Sequence, residues 1–540
     1  MFRHIAESFL LLGLTVVIFR CFAVEGYLIS TGSMAPTLLG FHRRIMCENC
    51  HHSFVRGAAF DSDKLIGEVS STGTSSASAS ADLSGLPAEP QLMECTHCGS
   101  PISNWNEVPR TEGDQLLVDK LAFEFRDPRR WEVIVFHNED APGQAYVKRV
   151  VGLPNEILEI RDGDIWVNNN IVRKPLENQL SMRVPVHEYS REASFSDPDL
   201  LPRWVSENGS ESWSFLNSSI NCSSSKAPNQ PGEISWIKYR HCETQPIPTV
   251  NTVHLAHWPE GLSQNHDDSL KFEAGTLSCD GVLSAFERDR WKTRTDDTEF
   301  HRALDELFEQ SHLSPIIDRC EYNRQTRQQY YFPHDFMISA TLEDLRGDGE
   351  LLFELTDGVD TFQLHILPSQ HLITLRDLRH QRDCWTTSID KDSLTKPIHI
   401  DFSLFDQQAI VAVNEKIVGS PVPFQASQSR PPLTSPVRIG ARGIDVRIAS
   451  LNLYRDVYYT PKRDQSDPSF EIPAHHFLVL GDNSPVSLDS RAWAHPTIPR
   501  EALIGKPLFV HLPTQQKEIS WNGKKSHIRI PDFSRVRTVR

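Results

Sequence analysis

The chain has 540 residues, 39% of them hydrophobic and 23% charged, which is too long for one domain and predicts about two to four folded units. Its formal net charge is −16 and neither half is basic, which excludes nucleic acid as the main partner, because phosphate binding needs clustered Lys and Arg. Of the ten cysteines, four fall in two Cys-x-x-Cys pairs, and the spacing of the other six defines no disulfide framework.

Residues 5–24 are mostly apolar, with Glu7 and Arg20 toward the ends. That length matches the roughly 20 residues a spanning helix needs, and charges near the ends of a span can reach the interface. A transmembrane anchor is therefore expected over residues 1–29. A cleaved secretory leader is the alternative, with Arg3 before a short apolar run and a cleavage site near Ala23 and Gly26. The anchor is preferred, because cleavage there would fall only a few residues before Ser33. At about 3.3 Å per extended residue, Ser33 then lies within about 30 Å of the bilayer.

The segment 30–45 opens with Ser30-Thr31-Gly32-Ser33-Met34-Ala35-Pro36. Alone it reads as a turn entering a strand, and only residues far downstream give it a further meaning. Residues 46–107 carry Cys47, Cys50, Cys95 and Cys98. A Cys-x-x-Cys turn brings two thiolates to one ion, and two such turns complete a tetrahedral zinc site. The gap between them is longer than the usual 15–20 or so residues. Its excess, residues 70–84, is rich in Ser, Ala and Gly, as in a disordered loop. Two disulfides are the alternative for a segment outside the cytoplasm. In either case the role is structural, since four thiolates leave no open position for catalysis.

Across residues 108–185, strands are predicted at 112–120, 131–136, 146–151 and 156–167, the last folded at Asp162-Gly163-Asp164. Alternation places Tyr146, Lys148 and Val150 on one face and Arg149 on the other. A lysine normally titrates near 10.4 and cannot accept a proton at neutral pH, but desolvation lowers that value. A neutral Lys148 amine near a hydroxyl would be a general base. Lys120, in a similar setting, is expected only to form an ion pair.

Residues 186–330 are rich in Ser, Asn, Asp and Pro and are expected to be an irregular, partly ordered insertion, with strand islands at 235–239 and 249–255. From 331 to 457 the pattern becomes short alternating strands, at 336–342, 350–355, 361–366, 372–375, 398–405, 410–414, 437–441 and 445–454, with turns at Gly347-Asp348-Gly349 and Asp357-Gly358. That spacing predicts a β-sandwich. It is similar to a concanavalin-A or laminin-G jelly roll. Residues 458–515 return to the first sheet through Gly481-Asp482-Asn483, followed by Ser487, Asp489 and Arg491. Residues 516–540 form a basic tail, expected to be solvated or to touch anionic lipid.

An apolar N-terminus, the Ser33 turn, Gly113-Asp114 through Lys120, the Lys148 strand and the box from Gly481 to Gly505 occur here in one order. Together they resemble the bacterial signal peptidase I family of membrane-anchored Ser/Lys endopeptidases. The resemblance implies a mainly antiparallel β core, carrying here a four-cysteine knuckle insert and an inserted sandwich. It implies Ser33 as nucleophile and Lys148 as base, with the Ser33 N–H and the Thr31 hydroxyl as oxyanion donors. It implies that Ser487 orients the Lys148 amine, and that Arg149 with Asp482 and Arg491 with Asp489 support the closing loop. No cofactor is expected for catalysis, and the four cysteines would hold a structural zinc ion.

The implied substrates are secretory preproteins, cut after an Ala-x-Ala-like motif. The implied partners are the bilayer and the translocation machinery, with no nucleic acid. The implied location is the cytoplasmic (inner) membrane, single-pass, with the catalytic domain on its extracytoplasmic side. A self-cleaving Ser/Lys repressor protease would need a DNA-binding helix pair where residues 1–29 are apolar. A non-catalytic binding protein using the sandwich for glycans or proteins is the remaining alternative.

Overall fold

The computed structural model describes residues 10–11, 23–58, 93–95, 97–139, 143–189, 198–207, 211–216, 219–224, 233–243, 250–262, 269–323, 330–389, 397–461, 469–511, 513–521 and 524–539. The architecture is mainly β, with several antiparallel sheets. Most of the expected anchor and the whole Ser-rich loop lie outside these residues. Among the described residues no helix is long and apolar enough to cross a membrane.

The sheet that carries Lys148 has eight strands. Its order is Val24–Leu28, Gln115–Asp119, Leu503–His511, Val133–His137, Ala145–Gly152, His476–Leu480 and Thr497–Pro499, with Arg537–Thr538 beside Leu503–His511. Val133, Ile134, Val135 and Phe136 are all buried, as a continuous apolar run in a strand covered on both faces should be. The 1–29 boundary expected for the anchor needs correction, because Val24–Leu28 pairs with Gln115–Asp119 and belongs to this sheet. The alternation Val24, Gly26, Leu28 fits a strand as well as the end of a span, and pairing decides between them.

The region expected as a sandwich is a single 14-stranded hydrogen-bonded sheet, built on two long strands, Phe336–Thr356 and Val437–Arg455, which pair antiparallel from Phe336↔Arg455 to Leu355↔Val437. Each had been expected as two shorter strands. Gly347-Asp348-Gly349, expected as a turn, lies in a bulged stretch where the register shifts between Gly347 and Glu350. A Cβ on Gly349 would stand 1.7 Å from the Arg442 carbonyl oxygen, so the opposed backbones meet too closely for a side chain.

Within 186–330 the strand islands are present as Ser235–Tyr239 and Val250–His254, but the described residues are more regular than expected. Ser219–Cys222 and Ser235–Tyr239 pair with Val437–Arg455. A three-stranded sheet and the helices Ala285–Lys292 and Thr298–His312 enclose Trp291, Phe300, Leu304 and Leu307. The helix starts are fixed by side-chain caps: Ser284 and Glu287 make a capping box, and Asp297 accepts from Glu299 and Phe300 N–H.

The basic tail includes a hairpin and returns to the core at its end. Thr514–Trp521 and Lys524–Pro531 form a hairpin. Arg535 and Arg537 then reach the buried Asp114, at 3.0 and 3.3 Å. These cations sit against the one carboxylate that holds the Ser33 turn, an arrangement composition alone does not reveal.

Core and sandwich meet at a buried cluster of charge. Lys174 lies between Asp406 and Asp456, 2.7 Å from the latter, and stacks on Trp131. Asp164 and Asp335 complete the group. Burial, reinforced by the neighbouring carboxylates, pushes Asp335 up to about 8. Burial likewise pushes Asp456 up to about 6, although Lys174 opposes the shift.

Candidate active site

The Ser33 turn follows directly from the first strand of the sheet that carries Lys148. Ile29 N–H donates to the Asp114 carbonyl at 2.9 Å, and Asp114 N–H to the Leu39 carbonyl at 2.8 Å. The Asp114 carboxylate also accepts from Leu39 N–H at 3.0 Å. The turn closes on itself through Ala35 N–H to Gly32 O (3.0 Å) and Leu38 N–H to Met34 O (2.8 Å). Met34, Ala35 and Leu38 are buried, so the apolar side of the turn is anchored while Thr31 stays exposed.

Lys148 lies on Ala145–Gly152, paired with Ile134 of the neighbouring strand. Its Nζ stands 2.5 Å from Ser33 Oγ, and the residue is only 3% exposed. Burial lowers its pKa to about 8; Asp489 and Asp482 oppose this and Arg491 assists it. The amine is thus within reach of neutrality and in contact with the one hydroxyl it would have to deprotonate. Thr31 Oγ1 is 3.5 Å from Ser33 Oγ on the open side. The Ser33 N–H has no acceptor among the described residues, which leaves it available to a developing oxyanion.

The closing loop is held by two ion pairs. Arg149 donates Nε and Nη2 to the two carboxylate oxygens of Asp482, at 2.8 and 2.7 Å. Its Nη1 donates to the Trp131 carbonyl at 2.6 Å. Burial works against the Arg149 charge, and the Asp482 carboxylate more than offsets it. Arg491 grips Asp489 in the same two-pronged way, at 2.9 and 2.6 Å. It also donates to the Thr460 carbonyl and to Ser484 Oγ, both at 2.7 Å. Burial would raise the Asp489 pKa, but Arg491 and the Gly481 N–H hold it below the usual value.

Ser487 makes no hydrogen bond to Lys148. Its Oγ is buried without a partner among the described residues and lies beside Gly481, where an added Cβ would stand 2.2 Å away. The same Cβ would stand 2.4 Å from the Ser33 carbonyl oxygen, so Gly481 lets the closing loop lie directly on the Ser33 turn. The hydroxyl is in the neighbourhood of the dyad, unpaired.

Two residues were missed from sequence. Asn483 donates its N–H to Ser33 O at 3.0 Å and its Nδ2 to Gly32 O at 2.8 Å. Asp114 organises the turn as described above. The signal for both is a polar residue just after a glycine, in Gly481-Asp482-Asn483 and Gly113-Asp114. Lys120 pairs with Glu25 at 3.2 Å, far from this chemistry.

The four clustered cysteines stand apart from the dyad. Cys47 and Cys95 each open a matching turn, closed by His51 N–H to Cys47 O (2.9 Å) and Gly99 N–H to Cys95 O (2.8 Å). All four sulfurs lie within 4.8 Å of one another, and Cys47–Cys98 and Cys50–Cys95 are each 3.6 Å apart. Tetrahedral bonds of about 2.3 Å place sulfurs about 3.8 Å apart, so the set fits a zinc ion. The spacing is well beyond the roughly 2.05 Å of a disulfide.

Comparison with known proteins follows this geometry. The family model described as signal peptidase, peptidase S26, matches residues 99–208 and 407–512. A signal peptidase I of Leptolyngbya laminosa is 33% identical over 108 residues, which cover 18% of this chain and 51% of that protein. A probable signal peptidase I-2 of Synechocystis is 32% identical over 81 residues, covering 14% of this chain and 35% of that one. The matches thus span about half or less of these relatives' length. Among solved structures, the VIP36 exoplasmic/lumenal domain aligns with 53% of this chain and 95% of its own, at 8% identity and a TM-score of 0.25, too low to assign a fold.

Proposed function

The core of this chain belongs to the signal peptidase I family, and from that premise we propose that it is a serine endopeptidase using Ser33 and Lys148 to remove signal peptides from secretory preproteins. The observation that carries the reading is the 2.5 Å approach of a buried amine to the Ser33 hydroxyl.

In this reading the neutral Lys148 amine takes the Ser33 proton as Oγ attacks the scissile carbonyl carbon. The Ser33 N–H and the Thr31 hydroxyl donate to the oxyanion. The ammonium then gives its proton to the leaving amine, and the acyl-serine ester remains. Water, deprotonated by the same amine, hydrolyses that ester and restores Ser33. Ser487, whose hydroxyl is buried and unpaired beside Gly481, would orient the amine. Cleavage falls after small residues in an Ala-x-Ala-like motif. The enzyme is held at the cytoplasmic (inner) membrane by its apolar N-terminus, with the catalytic domain on the extracytoplasmic side beside the translocation machinery. Cys47, Cys50, Cys95 and Cys98 would hold a zinc ion whose chemistry is to cross-link two turns.

The test is cleavage of a preprotein in detergent with lipid by wild type, Ser33→Ala and Lys148→Ala. Wild type should release the mature protein and both variants should be inactive. Equal cleavage by all three, or none by any, would refute the proposal.

A further inference from the structure

The folded insertion returns to the nucleophile. The loop carrying Cys320, Tyr322 and Asn323 leaves the inserted region and reaches the Ser33 turn. Its base is fixed to the sandwich by Arg455, whose Nη2 lies 2.7 Å from Asp318 Oδ1 and donates to the Arg319 carbonyl at 2.8 Å. Both charged side chains are nearly fully buried.

From that base two side chains extend to the catalytic core. The Tyr322 hydroxyl donates to the Phe41 carbonyl at 2.7 Å, and the Tyr322 carbonyl accepts from Gly57 N–H at 2.8 Å. The ring lies over Gly32, where an added Cβ would stand 1.9 Å from Cε1. It packs with Ala35, Leu39 and Cys320 in one apolar cluster. Gly32 is therefore needed at this place for the ring to reach the turn.

Asn323 forms a reciprocal amide pair with Asn483. Its Nδ2 donates to Asn483 Oδ1 at 2.6 Å, and its Oδ1 accepts from Asn483 Nδ2 at 2.7 Å. The orientation of both amides follows from chemistry. The Gly32 carbonyl, 2.8 Å from Asn483 Nδ2, can only accept, so that atom of Asn483 must be the nitrogen. Asn323 must then present its oxygen to it. The Asn323 carbonyl also accepts from Arg56 Nη1.

We infer that Tyr322 and Asn323 are positioning residues for the acyl-transfer site, fixing the backbone on either side of the Ser33 N–H through Gly32 and Asn483. The inference rests on the Ser33/Lys148 reading. Asn483 holds the carbonyls of Gly32 and Ser33, and Asn323 holds Asn483. Tyr322 lies against Gly32 and packs with Ala35 and Leu39 of the same turn. Reaction geometry is sensitive to displacements of a fraction of an ångström to an ångström. An insertion outside the catalytic sheet thus completes the site.

The experiment uses the full chain and four variants: Asn323→Ala, Asn323→Asp, Gly32→Ala and the double variant Gly32→Ala/Tyr322→Ala. Preprotein cleavage gives kcat and KM, and amide hydrogen exchange reports the segments 29–40 and 481–486. Asn323→Ala should lower kcat about 10-fold or more with KM within about 2-fold, and should speed exchange in both segments with the sandwich unchanged. Asn323→Asp keeps the acceptor toward Asn483 Nδ2 and loses the donor, so it should fall between wild type and Asn323→Ala. Gly32→Ala should be more damaging alone than with Tyr322→Ala, because the clash is with that ring.

Wild-type kcat and unchanged exchange in Asn323→Ala overturn the inference, as does a Gly32→Ala defect that Tyr322→Ala only worsens. If the wild type shows no Ser33-dependent cleavage, the peptidase reading fails. The exchange measurement then still decides whether the loop positions the turn.

Discussion

Arg149 and Asp482 meet as a two-pronged ion pair with both side chains fully buried. Arg149 is the next residue after Lys148, and Asp482 opens the loop that lies on Ser33. One contact therefore fixes the base and the closing loop relative to each other. Removing one partner leaves a buried charge without compensation, which costs about 3–5 kcal/mol. Asp482→Ala should lower the stability of the core by that order in urea unfolding, and Arg149→Lys should not restore the two-pronged geometry. A loss below about 1 kcal/mol would contradict the buried pairing.

The base should show itself in the pH dependence of catalysis. Lys148 must be neutral to accept the Ser33 proton, and burial sets its pKa at about 8. The rate should therefore rise with pH through about 8 and then level off. Asp489 is the largest charge opposing the burial effect. Asp489→Asn should consequently move the rising limb to lower pH in whatever activity remains. A limb that stays in place or moves to higher pH contradicts this assignment.

Thr31→Ala tests the oxyanion donor. Loss of one such donor costs about 3 kcal/mol of barrier, or roughly 10²–10³ in kcat. Thr31 is exposed, so folding stability should change by less than about 0.5 kcal/mol. Thr31→Ser keeps the hydroxyl and should retain most of the rate. Equal kcat in Thr31→Ala and wild type would remove Thr31 from the site.

The four-cysteine set should bind one zinc ion per chain by elemental analysis, and Cys95→Ser should reduce that content sharply. The sulfurs lie about as far apart as tetrahedral zinc–thiolate bonds require. Stripping the metal should loosen the segments 45–57 and 93–105 in hydrogen exchange while the dyad keeps its chemistry. A chain free of metal with two disulfides by mass spectrometry would contradict this.

The carboxylates between core and sandwich give stability a pH dependence. Burial, with Asp406 nearby, raises Asp335 to about 8, and burial raises Asp456 to about 6, against about 3.9 in an unfolded chain. The folded chain therefore holds protons that the unfolded chain has released. Their stabilising contribution is full below about pH 4 and is lost as pH rises through about 6 and about 8. Asp335→Asn cannot release that proton, so its stability should fall less than wild type between pH 5 and 8 in urea unfolding. Parallel curves for the two proteins would contradict the raised value.

The residues that the structure brings together at Ser33 were legible because short local motifs hold them: Thr31 to Ser33, Lys148-Arg149 in an alternating strand, and Gly481 to Arg491. The strands from 336 to 455 were legible from alternation such as Phe362, Leu364 and Ile366, although bulges hid the continuity of the two long ones. Polar residues dominate the insertion and leave only its strand islands legible, yet Phe300, Ala303, Leu304, Leu307 and Phe308 mark one helical face, and all are buried. Tyr322 and Asn323 gave no local signal. Their partners Gly32 and Asn483 are remote in sequence, and a lone Tyr-Asn pair in a polar stretch has no period to detect. The tail misled for a similar reason, since its arginines looked solvated until Asp114 was seen to meet them.

The central claim is that the Lys148 amine is held near neutrality beside Ser33, and NMR titration of that ε-position in the full-length wild-type chain tests it most directly. The account predicts a midpoint at about 8. A midpoint at or above about 10, where an exposed lysine titrates, would contradict it.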